Sequence, residues 1–346
     1  MNFDLLALIS ETPGAPGFEE KIRSLIIDQI KDHCDEFYVD GIGNLIVHRK
    51  GKGPRVMAAA HMDEISLIAK FIDDQGFIRF HTLGGFDPTT LSTQRVVVHG
   101  KQDLIGVIGT KPIHAQSPEE RKKAPKTELF FIDVGLPVEK VIELVPVGSP
   151  ITRERTLKRM GDYVTGKSLD NRVSVYMLVE AIRNLTDVNC DFYAVFTVQE
   201  EVGIRGARVA TNKLQPDIGI TLDVTLSNDI PGVETRDQCT KIGEGIGIKI
   251  MDGSAICTPG LVSFAEQVAQ KNKVMYQREL LTAGGTDTSA IQYLTGQGAH
   301  VTGLSIPLRY MHSTVETVSV SDINNGIELL TNMVQHLNEY QLPTHS

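Results

Sequence analysis

The sequence has no tryptophan and only four cysteines among its 346 residues. The cysteines are far apart in the chain and none belongs to a Cys-x-x-Cys pair, which argues against a zinc ribbon or a redox centre. We therefore expect four free thiols, most of them buried. These are Cys34, Cys190, Cys239 and Cys257.

Long apolar runs and basic clusters are also scarce. No stretch approaches the ~18 consecutive apolar residues of a membrane span, which argues against a membrane protein. The net charge of −9 argues against nucleic acid as a partner, because a phosphate-binding surface needs a basic patch. The N-terminus lacks the basic start and small-residue cleavage site of a secretory signal, so we expect a cytoplasmic protein.

Tandem repeats and low-complexity tracts are absent as well. Its length exceeds the usual size of one domain, which predicts two domains or one large domain with an insertion. A hydrophobic content of 41% is ordinary for a folded protein with an ample core.

The first and last parts of the chain have an α/β pattern. Apolar residues spaced three and four apart predict helices over 17–31, from 168 onward, and near 261–271 and 325–337. Short apolar runs predict strands, and the run Val56 to Ala60 is continuous, as in a sheet covered on both faces. These strands are predicted at 45–48, 56–60, 192–198, 218–222 and 246–250.

The segment from about Ser66 to Asp162 is different, because short β-type runs alternate there with Gly, Pro and Asp. We predict an all-β insertion of barrel or sandwich type, with a possible helical turn near 138–143. The predicted organisation is a first α/β part at 1–65, a β-rich domain at 66–162, and a second α/β part at 163–346.

Polar residues follow several of the predicted α/β strands. His61 ends one apolar run, Glu200 and Glu201 follow a second, and Asp223 ends a third. In open α/β sheets, ligands bind beyond the carboxyl ends of the strands, so these side chains are expected at one edge. Imidazole and carboxylate together are typical ligands of zinc, cobalt and manganese.

Asp170 and His312 are further metal-ligand candidates. Each of the four residues His61, Asp170, Asp223 and His312 also has an ordinary interpretation when taken alone. His61 could be a core histidine, Asp170 a helix cap, and Asp223 and His312 plain loop residues. Asp63 lies two residues after His61, so on an extended segment it can accept the other N–H of the imidazole.

The adjacent acids Glu200 and Glu201 could be a solvated strand end. On an extended segment they would point to opposite sides, which allows one to bind a metal while the other acts as a base. The residues alone do not say which acid has which role.

Six motifs occur in order along the chain. They are His61-Met62-Asp63-Glu64-Ile65, Leu169-Asp170-Asn171-Arg172, Gln199-Glu200-Glu201-Val202-Gly203, Asp223-Val224-Thr225, Ala283-Gly284-Gly285-Thr286-Asp287 and Arg309-Tyr310-Met311-His312-Ser313. These motifs resemble one family, the M42 aminopeptidases, which have two metals and include the tetrahedral TET assemblies. The resemblance covers almost the whole chain.

The resemblance implies a role for each matched residue. Asp170 would bridge two metals, with His61 and Asp223 completing one site and Glu201 and His312 the other. Glu200 would be the general base, Asp63 the partner of His61, and residues 284–287 would lie against the substrate pocket. Three positions depart from the family pattern, and none removes a ligand. They are Ser66, Leu226 and Thr314.

The resemblance also implies the architecture and the activity. The expected fold is a mixed-sheet α/β/α catalytic domain of the dinuclear zinc-peptidase type, with a PDZ-like β domain for dimerisation and dodecamer assembly. We expect an aminopeptidase for short peptides with two divalent ions, zinc or cobalt or else manganese. The alternatives are a carboxypeptidase or deacylase on the same metals, a glycosidase using the paired acids, and a non-catalytic peptide-binding scaffold.

Overall fold

The computed structural model describes residues 1–186 and 188–342, which form a mixed α/β structure with an inserted β-barrel. The strands of the main sheet are β1 (Glu36–Val39), β2 (Leu45–Arg49), β3 (Arg55–His61), β10 (Lys158–Met160), β11 (Tyr163–Gly166), β12 (Asp191–Thr197), β13 (Ile218–Leu226), β14 (Ile246–Met251), β15 (Tyr276–Leu280), β16 (His300–Arg309) and β17 (Glu316–Ser319). The barrel strands are β4 (Ser66–Ile72), β5 (Ile78–Leu83), β6 (Arg95–His99), β7 (Asp103–Gly109), β8 (Phe131–Asp133) and β9 (Pro150–Arg153). The helices are α1 (Phe3–Glu11), α2 (Glu20–Ile30), α3 (Pro118–Arg121), α4 (Val138–Leu144), α5 (Leu169–Asn184), α6 (Arg205–Leu214), α7 (Pro259–Asn272), α8 (Asp287–Tyr293) and α9 (Val320–Gln335).

The main sheet has the strand order β1-β2-β12-β3-β13-β16-β17-β11-β10, with β14 paired to β16 and β15 to β14. Its centre is parallel, because β12, β3, β13 and β16 run in one direction. The carboxyl ends of these four strands therefore meet at one edge.

Both faces of the central sheet are covered. Alternate residues of β3 point to opposite sides, so Val56, Ala58 and Ala60 join the larger apolar core. Met57 and Ala59 join a smaller core with residues of α6 and α8. This three-layer packing confirms the two-sided burial predicted from the continuous run at 56–60.

The insertion is a closed barrel with the strand order β4-β5-β8-β7-β6-β9 and its own apolar core, which includes Ile78, Val96 and Ile132. The predicted β insertion is thus a barrel, while its likeness to a PDZ domain and the unit boundaries at 65/66 and 162/163 stay predictions. β10, at Lys158–Met160, pairs with β11 of the main sheet.

The predicted helices and strands of the α/β parts are present, with ends shifted by a few residues. The pattern missed β1, β11, β15, β16, β17, α6 and α8. The four cysteines are free, with Cys190 and Cys257 buried and the other two half-buried. None of the helices in the described ranges is long and apolar enough to cross a membrane.

Candidate metal centre

The strand register places the first candidate residues side by side. Thr197, the last residue of β12, is the Cα partner of His61, the last residue of β3. On the other side of β3, Thr221 of β13 pairs with Ala59, so Asp223 stands level with His61. Glu200 and His312 follow β12 and β16 at the same edge. The sheet therefore brings the predicted residues together as the carboxyl-end rule requires.

His61, Asp170 and Asp223 form one compact group. His61 Nε2 lies 3.3 Å from Asp170 Oδ1 and 3.8 Å from Asp223 Oδ1. One possible ligand atom from each residue lies within 4.8 Å of the other two. All three residues are buried, so this group can enclose a small cation.

Asp170, Glu201 and His312 form a second group in the described part of the chain, again with ligand atoms within 4.8 Å of one another. His312 Nε2 lies 3.3 Å from Asp170 Oδ2 and 3.7 Å from Glu201 Oε2. Asp170 thus directs one carboxylate oxygen at each histidine. It is the residue that the two groups share.

The backbone at Asp170 is not helical, although this residue lies in the first turn of α5. The N-cap of α5 is Ser168, with φ +58°, and Asp170 has the extended torsions φ −79° and ψ 106°. Since the Asp170 carboxylate faces the two histidines, the alternative of an ordinary helix cap is not what the structure has. His312 and Gln199 also have positive φ, at +60° and +54°. Such backbone conformations in residues other than glycine cluster at functional sites.

Glu200 and Glu201 lie in a turn and not on the extended segment expected from the sequence. β12 ends at Thr197, Gln199 has positive φ, and the amides of Gly203 and Ile204 return to the carbonyl of Glu200. The side chains still diverge: Glu200 Oε2 lies 3.9 Å from His61 Nε2, while Glu201 faces His312.

Asp63 holds the backbone of this acidic pair. Its carboxylate accepts the amide N–H of Glu200 at 3.0 Å and that of Glu201 at 3.1 Å. His61 Nδ1 lies 3.2 Å from the main-chain carbonyl of Asp63 and 3.6 Å from the carboxylate. The partner of His61 within hydrogen-bond distance is therefore the carbonyl of Asp63 and not the predicted carboxylate, which instead fixes the loop that carries Glu200.

Burial and neighbouring carboxylates shift the pKa values of the acids in this site. Burial, reinforced by Asp170, raises the pKa of Asp223 to about 7 and that of Glu201 well above its ordinary value. Burial also raises the pKa of Glu200. Burial by itself would lower the pKa of His61, but the contacts with Asp170 and Asp63 outweigh it and raise that pKa. Such crowded carboxylates need additional positive charge, which divalent cations supply.

The donor set fits metal ions. The two groups offer imidazole nitrogen and carboxylate oxygen, the usual ligands of zinc, cobalt and manganese. Within the described ranges, Glu201 Oε1 is buried and has no hydrogen-bond partner. A buried carboxylate oxygen without a partner is costly, and a cation at this position would satisfy it.

A cavity of about 250 Å³ opens beside the two groups. Gly284, Gly285 and Thr286 line it, as the resemblance implied for this motif, while Asp287 is buried, is not part of the lining and accepts a hydrogen bond from Thr197. Much of the remaining wall is apolar. The apolar residues are Val224, Leu226, Leu281, Ala283 and Met311.

The three departures from the family pattern have distinct positions. Leu226 lies in the cavity wall. Ser66 starts β4 and donates a hydrogen bond to the carbonyl of Glu64 at 2.8 Å. Thr314 Oγ1 donates to Gln94 of the inserted domain at 3.3 Å.

Two residues at the site were not found from the sequence. Glu316 accepts the backbone amides of Asp170 and His312. Arg153, from the barrel strand β9, donates to the carbonyl of His312 at 3.1 Å. Neither residue belongs to a recognisable motif. Two of their three contacts join residues more than a hundred positions apart, and the contact of Glu316 with His312 depends on the conformation of a loop.

Comparison with known proteins agrees with this geometry. The family model described as M42 glutamyl aminopeptidase matches residues 43–329. The lysyl aminopeptidase of Pyrococcus furiosus is 34% identical over 97% of this chain and 98% of its own length.

Solved structures of peptidases are also similar to this chain. An aminopeptidase of the archaeon Desulfurococcus kamchatkensis has a TM-score of 0.93 at 33% identity, covering 99% of this chain and 98% of its own. The Pyrococcus horikoshii TET1 peptidase, described as assembling into a tetrahedron or a large octahedral shell, has a TM-score of 0.85 at 35% identity, covering 96% and 98%. The resemblance seen in the sequence motifs is confirmed.

Proposed function

Because the chain belongs to the M42 glutamyl aminopeptidase family, we propose that it removes N-terminal residues from short peptides by using two divalent cations. The observation that carries this proposal is the shared carboxylate of Asp170, which lies 3.3 Å from a histidine of each group. One carboxylate between two histidine-containing groups is an arrangement that can hold a pair of neighbouring ions.

In this proposal His61, Asp223 and Asp170 hold one ion, and Glu201, His312 and Asp170 hold the other. Zinc or cobalt suits the nitrogen and oxygen ligands best, and manganese is also compatible. When bound, such ions supply Lewis acidity, which polarises a peptide carbonyl and lowers the pKa of water.

Glu200 is the proposed general base. It lines the cavity but belongs to neither ligand group, and its backbone is fixed by Asp63. Its carboxylate takes a proton from the attacking water as oxygen bonds to the carbonyl carbon. Glu200 then returns that proton to the leaving amine as the C–N bond breaks.

The cavity lining in the described ranges contains four carboxylates and no lysine or arginine. Three of these carboxylates are proposed metal ligands and the fourth is the proposed base, so two divalent cations would offset their charge. The lining offers no cationic side chain to pair with the terminal carboxylate that a carboxypeptidase must bind, which favours an aminopeptidase. The apolar wall near Leu226 and Met311 suits an uncharged N-terminal side chain.

We further propose that the chain forms a homo-oligomer, with the barrel as a PDZ-like dimerisation domain and the dodecamer as the larger assembly. The Pyrococcus horikoshii TET1 peptidase, which is similar to this chain, assembles into a tetrahedron or a large octahedral shell, and another similar solved structure is a dodecamer, which supports this proposal. The barrel also exposes large apolar side chains, including Phe71 and Ile105, which are 58% and 59% accessible. The cytoplasmic location stays a prediction.

A substrate panel tests the activity. Aminoacyl peptides, N-acylated peptides, substrates that report C-terminal release and β-glucans are offered to the metal-loaded protein. Only peptides with a free amino terminus should be cleaved, and a chelator should stop the reaction. Cleavage confined to N-acylated, C-terminal or sugar substrates would contradict the proposal in favour of a deacylase, a carboxypeptidase or a glycosidase.

A further inference from the structure

Glu316 has an unusual position relative to the second ligand group. Its side chain is fully buried at the start of β17. One carboxylate oxygen accepts the backbone N–H of His312 at 2.9 Å, and the other accepts that of Asp170 at 3.1 Å. A single carboxylate therefore ties together the main chains of two residues whose side chains meet at 3.3 Å.

Regular secondary structure does not fix the main chain of Asp170 or that of His312. Asp170 has non-helical torsions at the start of α5, and His312, with φ +60°, lies in the loop between β16 and β17. Neither amide takes part in a strand ladder. The two hydrogen bonds of Glu316 supply the constraint that a helix or sheet would otherwise give.

His312 is held from its other side by the barrel. Arg153 of β9 is 5% exposed and donates Nη1 to the carbonyl of His312 at 3.1 Å. The backbone N–H and C=O of His312 are thus both bonded to buried charged side chains. Its imidazole is left to face Asp170 and Glu201.

We propose that Glu316 is a positioning residue that sets the affinity of the Asp170–Glu201–His312 group for its cation without touching the ion. Its hydrogen bonds hold Asp170 and His312 at the separation that the ion needs before the ion binds. The conformational entropy that these two ligands lose on binding is therefore smaller. This inference rests on the proposed function, because it assumes that the group binds a cation.

The test is Glu316→Gln, with Zn²⁺ alone as the probe. The amide keeps the size of the side chain, but its NH₂ group must face one of the two backbone N–H donors. Partners that orient metal ligands typically change affinity by about 10–100-fold when they are altered. Calorimetric titration of the metal-free protein should show a loss of this size for one of the two ions and a smaller loss for the other, because Asp170 belongs to both groups.

Asp322→Asn is the matched control. Asp322 is also fully buried and accepts two backbone amides, from Gly243 at 2.6 Å and Gly245 at 2.9 Å, but it is not part of the cavity lining. This variant should lower the thermal midpoint while both Zn²⁺ affinities stay at wild-type values. Equal affinity losses in the two variants would show that Glu316 acts only through general stability and would overturn the proposal.

Glu316→Asp is the second variant if Glu316→Gln does not fold. It keeps the charge but withdraws the carboxylate by one methylene, and should also weaken one ion more than the other. Two wild-type affinities in a folded Glu316 variant would overturn the positioning role alone. Failure of the wild-type protein to bind Zn²⁺ at either group would instead overturn the proposed function.

Discussion

The carboxylate of Asp63 accepts the backbone amide of Glu200 at 3.0 Å, which places the proposed base through its main chain. A residue predicted as a partner of His61 therefore also fixes the neighbouring loop. Glu201 is held by the other oxygen of the same carboxylate at 3.1 Å.

Asp63→Asn should disturb both the base and one ligand, because the amide NH₂ opposes one of the two backbone N–H groups. We expect Zn²⁺ affinity to fall by about 10–100-fold, with a loss of kcat that saturating Zn²⁺ does not fully restore. Asp40→Asn is the control, since Asp40 also accepts backbone amides, from Ile42, Gly43 and Asn44, in the β1–β2 loop. Full recovery of kcat at saturating metal would contradict the proposed effect on Glu200.

Glu200→Gln and Glu201→Gln separate the roles of the adjacent acids. Loss of a general base lowers turnover by roughly 10²–10⁴, so Glu200→Gln should do this while retaining both ions. Glu201→Gln should lower metal content, since its carboxylate belongs to the second group. Metal content and kcat are measured on the same samples. The reverse result, with metal lost only in the Glu200 variant, would exchange the two assignments.

Asp170→Asn and Asp223→Asn test whether one carboxylate serves two ions. Asp170 belongs to both groups and Asp223 to one. After identical dialysis, the Asp170 variant should lose both ions and the Asp223 variant should keep one, as counted by elemental analysis. Equal metal content in the two variants would show that Asp170 does not bridge.

Leu226→Glu tests the apolar wall of the cavity. Leu226 is 40% exposed, so a new charge there is screened and a pairing with substrate lysine is worth little. We expect the ratio of kcat/KM for N-terminal lysine over leucine to rise by about two- to fivefold. Leu8→Glu, on α1 at 51% exposure, is the charge control and should leave the ratio unchanged. An unchanged ratio in the Leu226 variant would place the substrate side chain elsewhere.

Much of the candidate site could be predicted because the end of an apolar run in the sequence marks the end of a buried strand. The runs before His61 and Asp223 are buried parallel strands, and their carboxyl ends share an edge by a rule that needs no alignment. The match of the motifs to the family added the assignment of individual roles, which remains to be tested.

Other features had no local signal. β16 contains Pro307, as well as the buried polar residues Thr302 and Ser305, so its apolar pattern is broken although the strand is central. The positive φ of Gln199, which turns Glu200 off the strand, is not a preference of glutamine. Glu316 resembles any acid near a strand until folding places it beside Asp170, whose amide lies 146 positions away in sequence.

The most direct test of the account is metal titration of the metal-free protein, with bound ions and aminopeptidase rate measured together on each sample. Zn²⁺, Co²⁺ and Mn²⁺ are added singly, with an aminoacyl substrate present. We expect two ions per chain at saturation, with hydrolysis restored by at least one metal as the second ion binds. If the ions bind and no metal restores hydrolysis of any aminoacyl substrate, the two-metal aminopeptidase account is wrong.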